Sequence, residues 1–105
     1  MSTQRLLKMY VLVRRDLKET YRNVQGCHSV AEYSLRGDKN LFNKWNNKIL
    51  IHLGVRDEWA LRNWCNKLAV LKKPIAKFYE PDLNNQLTAI ACVDTGEIFK
   101  KLRLA

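Results

Sequence analysis

Four cations, Arg14, Arg15, Lys18 and Arg22, fall within nine positions of the chain. If that stretch is the end of a strand leading into a helix, the unpaired N–H groups and positive dipole end of the helix join the side chains in attracting a phosphate or carboxylate. Gln25 and His28 follow, three residues apart and so neighbours on one helical face. One is an amide that both donates and accepts hydrogen bonds, the other an imidazole that titrates near neutrality. Farther on, Glu80 and Asp82 flank Pro81. Two nearby carboxylates divide into acid and base when their surroundings push the pKa values apart, and they equally suit an ion pair with Arg14 or Arg15. The turn continues through Asn84 and Asn85, whose amides are candidate ligand contacts, to Thr88 beside the small residues Ala89 and Ala91.

Other chemistries lack their motifs. There is no GxGxxG and no GxxxxGK[ST], so no glycine-rich phosphate loop is expected. Cys27, Cys65 and Cys92 form an odd, widely spaced set without CxxC, which suggests neither zinc nor a disulfide framework. No cofactor is implied. His52, inside an apolar run, reads as a core residue. Trp45, Trp59, Trp64, Phe42 and Tyr79 are candidates for stacking on bases. Trp64 falls on an apolar helical stripe and reads as core, whereas Phe42 and Trp45, in a basic segment, are expected to meet a ligand or a second subunit.

The whole chain fits that emphasis on anions. Its 105 residues carry 19 Lys+Arg against 10 Asp+Glu, a formal charge of +9, which favours RNA, DNA, nucleotides or an anionic membrane surface as partners. The length suits a single domain, residues 1–105, and 47% hydrophobic residues supply one core. No apolar run approaches the ~20 residues of a membrane span, and the first residues lack the apolar core of a signal peptide, so a cytoplasmic protein is expected.

The elements that must position these residues follow from periodicity. Met9 to Val13 is a short apolar run of the sort buried in a central strand. Val24, Cys27, His28, Ala31 and Leu35 recur at helical spacing and predict the inner face of a first helix, ending near Gly37. Asp38 to Lys48 reads as a loop or short helical turn. Ile49 to Leu53 predicts a second strand, and Asp57 caps a helix with Leu61, Trp64, Cys65, Leu68 and Leu71 inward, ending before Pro74. Ile75 to Tyr79 and Leu87 to Val93 predict two further strands joined as an antiparallel hairpin. The order β-α-β-α-β-β predicts an α/β fold with a four-stranded mixed sheet. Ligands are expected beyond the carboxyl ends of its parallel strands.

Several of these segments, in this order, resemble the type II peptidyl-tRNA hydrolases. Lys8 to Lys18 (KMYVLVRRDLK) is similar to the family's opening strand, which ends in an Arg-x-Asp-Leu-Lys-like sequence. Gln25-Gly26-Cys27-His28-Ser29 is similar to its Gln-x-x-His-Ala, Leu71-Lys72-Lys73-Pro74 to its Leu-Gly-Leu-Pro, and Leu87 to Val93 to its last strand. The chain also resembles compact versions of this fold associated with phage genomes, where a Glu-Pro-Asp turn precedes the final strand. The resemblance implies a three-layer α/β/α fold, often homodimeric, that hydrolyses the ester joining a peptide to tRNA. The family's site has a lysine four residues before a helix glutamine, that glutamine, an aspartate after the third strand and a threonine on the last. Gln25 and Thr88 match. The aspartate position falls on Glu80 by spacing or Asp82 by residue type, and the lysine position is Tyr21, a neutral phenol in place of an ammonium.

Two functions follow. In one, Glu80 or Asp82 positions or deprotonates water, Gln25 and a nearby cation (Lys18 or Arg22 reaching in) stabilise the oxyanion, and Arg14, Arg15 and Lys18 grip tRNA phosphates. In the other, the loss of the lysine leaves a protein that binds tRNA, a nucleotide or a nucleotide-derived signal without cleaving it.

Overall fold

A computed structural model of the chain describes residues 6–105. The elements run β1 (Lys8–Arg14), α1 (Glu19–Arg36), α2 (Lys39–Trp45), β2 (Leu50–Val55), α3 (Glu58–Val70), β3 (Ala76–Glu80), β4 (Gln86–Asp94) and β5 (Arg103–Leu104), with single 3₁₀ turns at Pro81–Leu83 and Glu97–Phe99. One open mixed sheet has the strand order β3-β4-β1-β2-β5. β1 is parallel to β2 and antiparallel to β4, and the β3–β4 hairpin is antiparallel as expected. The sheet has five strands rather than four, because the last residues of the chain return to pair Leu104 with Leu53 and Arg103 with Gly54. A two-residue strand carries no readable alternation, which is why periodicity passed over it.

Alternation along β1 divides the core. Tyr10 and Leu12 meet Leu61, Cys65 and Leu68 of α3 on one face, together with Leu53, Val55, Ile90 and Phe99. Met9, Val11 and Val13 meet Tyr33 of α1 and Trp45 of α2 on the other, with Ala89, Ala91 and Val93. Helices therefore cover both faces of the sheet. Among the described residues no helix is long and apolar enough to cross a membrane.

The segment after Gly37 is a true helix. The Asp38 carboxylate caps α2 by accepting from the Leu41 N–H at 3.0 Å, and Asn46, at φ 53°, ends it in the left-handed conformation that asparagine tolerates. This helix draws Trp45 inward: the ring is 3% exposed and its Nε1–H donates to the Ile49 carbonyl at 2.7 Å. Phe42 is half-buried and stacks near Tyr33. The two aromatics expected to face a ligand or second subunit are instead part of the core.

α1 turns nearly the opposite face to the sheet from the one expected. Its buried face is Gln25, Gly26, Ser29 and Tyr33, whereas Val24 and Leu35 are half or more exposed and Cys27, His28 and Ala31 also lie outward. Gln25 and Ser29 hold the inner face because their side chains are hydrogen-bonded there; the Ser29 hydroxyl, for instance, donates to the Gly26 carbonyl at 2.7 Å. Small residues also let the helix sit low on the sheet. A Cβ on Gly26 would come within 2.8 Å of His52 Nε2 and 3.3 Å of Val11. α3 behaves as expected except at its end, where Leu71 is exposed and Lys72 turns left-handed at φ 57°, ahead of Pro74.

His52 lies under α1 with its Nε2 buried and without a hydrogen-bond partner. Burial lowers its pKa below 6.5, and the Arg22 charge adds to the effect. As pH falls through 6.5 the unfolded chain takes up this proton before the folded one does, so stability declines between there and the lower native value. The native carboxylates with lowered pKa titrate only in a more acidic range. The melting temperature is expected to drop between pH 7.5 and 5.5, and His52→Leu to remove most of that drop. A variant whose melting follows the same pH curve as the parent would contradict the assignment.

Candidate functional site

Along β4, Ala89, Ala91 and Val93 face α1, while Ile90 and Cys92 face α3. Strict alternation would send Thr88 to the α3 side. The pairing of β3 with β4 instead jumps from Phe78 opposite Ala89 to Tyr79 opposite Leu87, which leaves Thr88 as the extra residue of a β-bulge. The bulge turns its hydroxyl under α1. There it donates to Gln25 Oε1 at 2.5 Å and lies 3.5 Å from the Phe78 carbonyl oxygen.

Gln25 passes the connection on. Its Nε2 donates to Glu80 Oε1 at 2.8 Å, and both Gln25 and Thr88 are fully buried, with Glu80 only 8% exposed. The second Glu80 oxygen accepts from the Asp82 backbone N–H at 3.2 Å. The Tyr21 phenol, from one turn earlier in α1, sits close enough to the Glu80 carboxylate for each to perturb the other's pKa. A chain of hydrogen bonds thus links Thr88, Gln25 and Glu80 across α1, β3 and β4, with Tyr21 beside its carboxylate end.

The electrostatics follow from these bonds. The Gln25 amide holds the Glu80 carboxyl below its ordinary pKa, helped by the Asp82 N–H and Tyr21 and opposed by burial. Burial raises the Tyr21 phenol, as does the Glu80 charge, so Tyr21 stays a neutral donor. At neutral pH the site is an anion ringed by donors. Of about four lone-pair positions on a carboxylate, the Gln25 amide and the Asp82 N–H take two, which leaves room for the Tyr21 phenol and a further donor such as water.

Between the two carboxylates the geometry selects Glu80. Asp82 is exposed and contributes its backbone N–H; Asn84 and Asn85 are exposed as well. Their place is conformational, since both adopt positive φ, 53° and 58°, and the Asn85 N–H closes the turn on the Glu80 carbonyl at 2.9 Å. His28 is exposed at the rim, its ring stacked on Phe78 with centroids 4.3 Å apart.

The cations do not converge on this network. Arg14 is 7% exposed and belongs to the α3 side, where its Nε and Nη2 clasp the Asp16 carboxylate at 3.0 and 2.8 Å and its Nη1 donates to Gln86 Oε1 at 2.8 Å and the Leu87 carbonyl at 3.3 Å. Those bonds hold the Asp16 pKa down. Arg22 Nε donates to the Leu17 carbonyl at 2.8 Å and Lys18 is exposed at the start of α1. Arg15 lies across Gly54 of β2. In the place where an ammonium was sought, the group that reaches Glu80 is the Tyr21 phenol. Among the described residues no three His, Cys, Asp or Glu side chains gather as a metal site requires.

Two supporting residues escaped sequence reasoning. Gln86 holds Arg14, and Glu58, in the first turn of α3, accepts from the Leu87 N–H at 2.9 Å while pairing with Arg62 at 3.1 Å. They fix the start of β4 just before the bulge. Their only sequence signal was position, at a helix start and a strand start.

No protein-family model matches the chain, and no curated protein matches its sequence.

Replacing Thr88 with valine would keep its volume but leave the buried Gln25 Oε1 without its donor, at an expected cost of about 1–3 kcal/mol. Urea unfolding is the measurement. An unchanged midpoint would mean that the Thr88–Gln25 bond contributes nothing to the fold.

Proposed function

We propose that this chain is a peptidyl-tRNA hydrolase-like esterase that cleaves the ester between a peptide or aminoacyl group and tRNA. One observation carries the reading. The positions that the resemblance assigns to the family's site, scattered between residues 21 and 88, meet here: a buried hydrogen-bond chain joins Thr88, Gln25 and Glu80, and Tyr21 stands half-buried beside the Glu80 carboxylate. In the proposed reaction a water held by Glu80 adds to the ester carbonyl, and Tyr21 donates to the oxygen on which negative charge develops. Collapse breaks the acyl C–O bond, and the proton released by the water leaves on the ribose hydroxyl. Gln25, pinned by Thr88, aims the carboxylate. A cytoplasmic setting and a homodimer complete the proposal; the apolar Val24 and Leu35 exposed on α1 are compatible with a second copy.

A second reading has its own observation. The Gln25 amide, the Asp82 N–H and the Tyr21 phenol together hold the Glu80 pKa down, which makes it a weak base, and the phenol at residue 21 brings no positive charge. A site so saturated suits retention of an intact tRNA, nucleotide or nucleotide-derived signal.

Purified protein incubated with N-acetylaminoacyl-tRNA separates the two. Hydrolysis is expected to release the acyl amino acid, to fall by about 10²-fold or more in Glu80→Gln, and to rise by about 10²–10³-fold in Tyr21→Lys, which restores a cation beside the oxyanion. If neither the parent nor Tyr21→Lys releases acyl groups while charged tRNA is recovered intact on the protein, the binding function replaces the esterase.

A further inference from the structure

The carboxyl ends of β1 and β2 open into a groove of about 560 Å³ whose wall carries four cations, Arg15, Arg56, Lys101 and Arg103. This is a second surface, separate from the Glu80 network. The sheet order places β3, with Glu80, at one edge and β5, with Arg103, at the other, four strand spacings or about 19 Å apart. Asp16 also lines the groove, but Arg14 already neutralises it through a bidentate pair. The remaining wall is basic. Arg56 is 80% exposed on its side chain, with a 3.4 Å contact to Asp57, and Arg15, Lys101 and Arg103 are exposed too.

Two features go beyond accumulated charge. The Arg15 stem lies flat over Gly54, where an added Cβ would come within 2.6 Å of its Cγ, so the absence of a side chain on β2 sets where that guanidinium begins. Trp59 stands 67% exposed in the first turn of α3, one residue before Ala60 of the groove wall and three after Arg56. Trp59 does not line the groove, but an exposed indole on the helix that supplies Ala60 and Trp64 to its wall offers base stacking beside backbone neutralisation. A concave wall also suits a strand that enters it, more than a flat anionic lipid surface.

We propose that this groove binds single-stranded nucleic acid, the cations contacting consecutive phosphates and Trp59 stacking on a base. The proposal stands apart from the ester chemistry, since none of these residues touches Glu80, Gln25 or Thr88. RNA and DNA share the phosphodiester and the stacking face, so both serve as probes.

Fluorescence anisotropy with labelled 12-nucleotide RNA and DNA, over 50–200 mM salt, tests it on the full chain. The triple variant Arg56→Gln, Lys101→Gln, Arg103→Gln is expected to bind about 10- to 100-fold more weakly at low salt, with the slope of log affinity against log salt reduced by about 2. Trp59→Ala is expected to lose about 5- to 100-fold with the slope unchanged. Gly54→Ala keeps every charge but displaces Arg15, and should weaken binding several-fold. These probes carry no ester, so their binding is read independently of any failure of hydrolysis. Circular dichroism melts confirm that each variant is folded; a preference between the probes names the natural strand. The proposal is overturned by parental affinity and slope in the folded triple variant, by parental affinity in Trp59→Ala, or by binding to phosphatidylserine vesicles that the triple variant loses while its RNA and DNA binding persists.

Discussion

A glutamine amide with no access to water must find partners for both its ends, and the architecture around Gln25 is arranged to supply them. An unpaired buried amide costs several times what a made hydrogen bond returns. The Thr88 hydroxyl and the Glu80 carboxylate meet that demand from two adjacent strands. Thr88 can do so only because the β4 ladder skips one residue, and Glu80 only because the hairpin turn supplies the Asp82 N–H to its second oxygen. Helix register, bulge and turn are therefore mutually dependent. Turning α1 to bury Val24 and Cys27 would gain hydrophobic contact but would take Gln25 away from Thr88 and Glu80.

A second polar knot holds the same end of the sheet from the opposite face. Arg14 joins Asp16, Gln86 and the Leu87 carbonyl, while Glu58 takes the Leu87 N–H. Both knots grip the first residues of β4, one at the bulged Thr88 and the other at Gln86 and Leu87 just before it. This gives the carboxyl-end rim a rigid floor, and rigid support is what an aligned donor–acceptor chain requires. The cost is that Arg14 and Asp16 are spent on structure, and exposed positive charge lies farther out, at Arg15 and the β2–β5 edge.

Much of the scaffold was legible from local pattern. β1, β2, β3 and β4, the α3 stripe and its Asp57 cap, and the antiparallel hairpin all follow from periodicity and turn chemistry, and Gln25, Glu80, Thr88 and Tyr21 were all singled out. Three features were not readable. The inner face of α1 was assigned to the more apolar stripe, since a hydropathy pattern does not weigh satisfied polar groups. The α2 segment is short and Asn-rich, so its pattern suits a loop as well as a helix, and its burial of Trp45 depends on the sheet beneath. The convergence of Arg14, Arg15, Lys18 and Arg22 was inferred from nearness in sequence, yet successive strand residues point to opposite faces.

By itself the sequence determined the alternation of strands and helices, the excess of positive charge, and the presence of an amide, a hydroxyl and two carboxylates, with a phenol at the position the family resemblance gives to a lysine. It left open whether Glu80 or Asp82 faces the amide, and where the cations go. Those choices belong to the tertiary structure. They depend on which backbone N–H groups and side chains, distant along the chain, must satisfy one another once water is removed, and no local pattern carries that information.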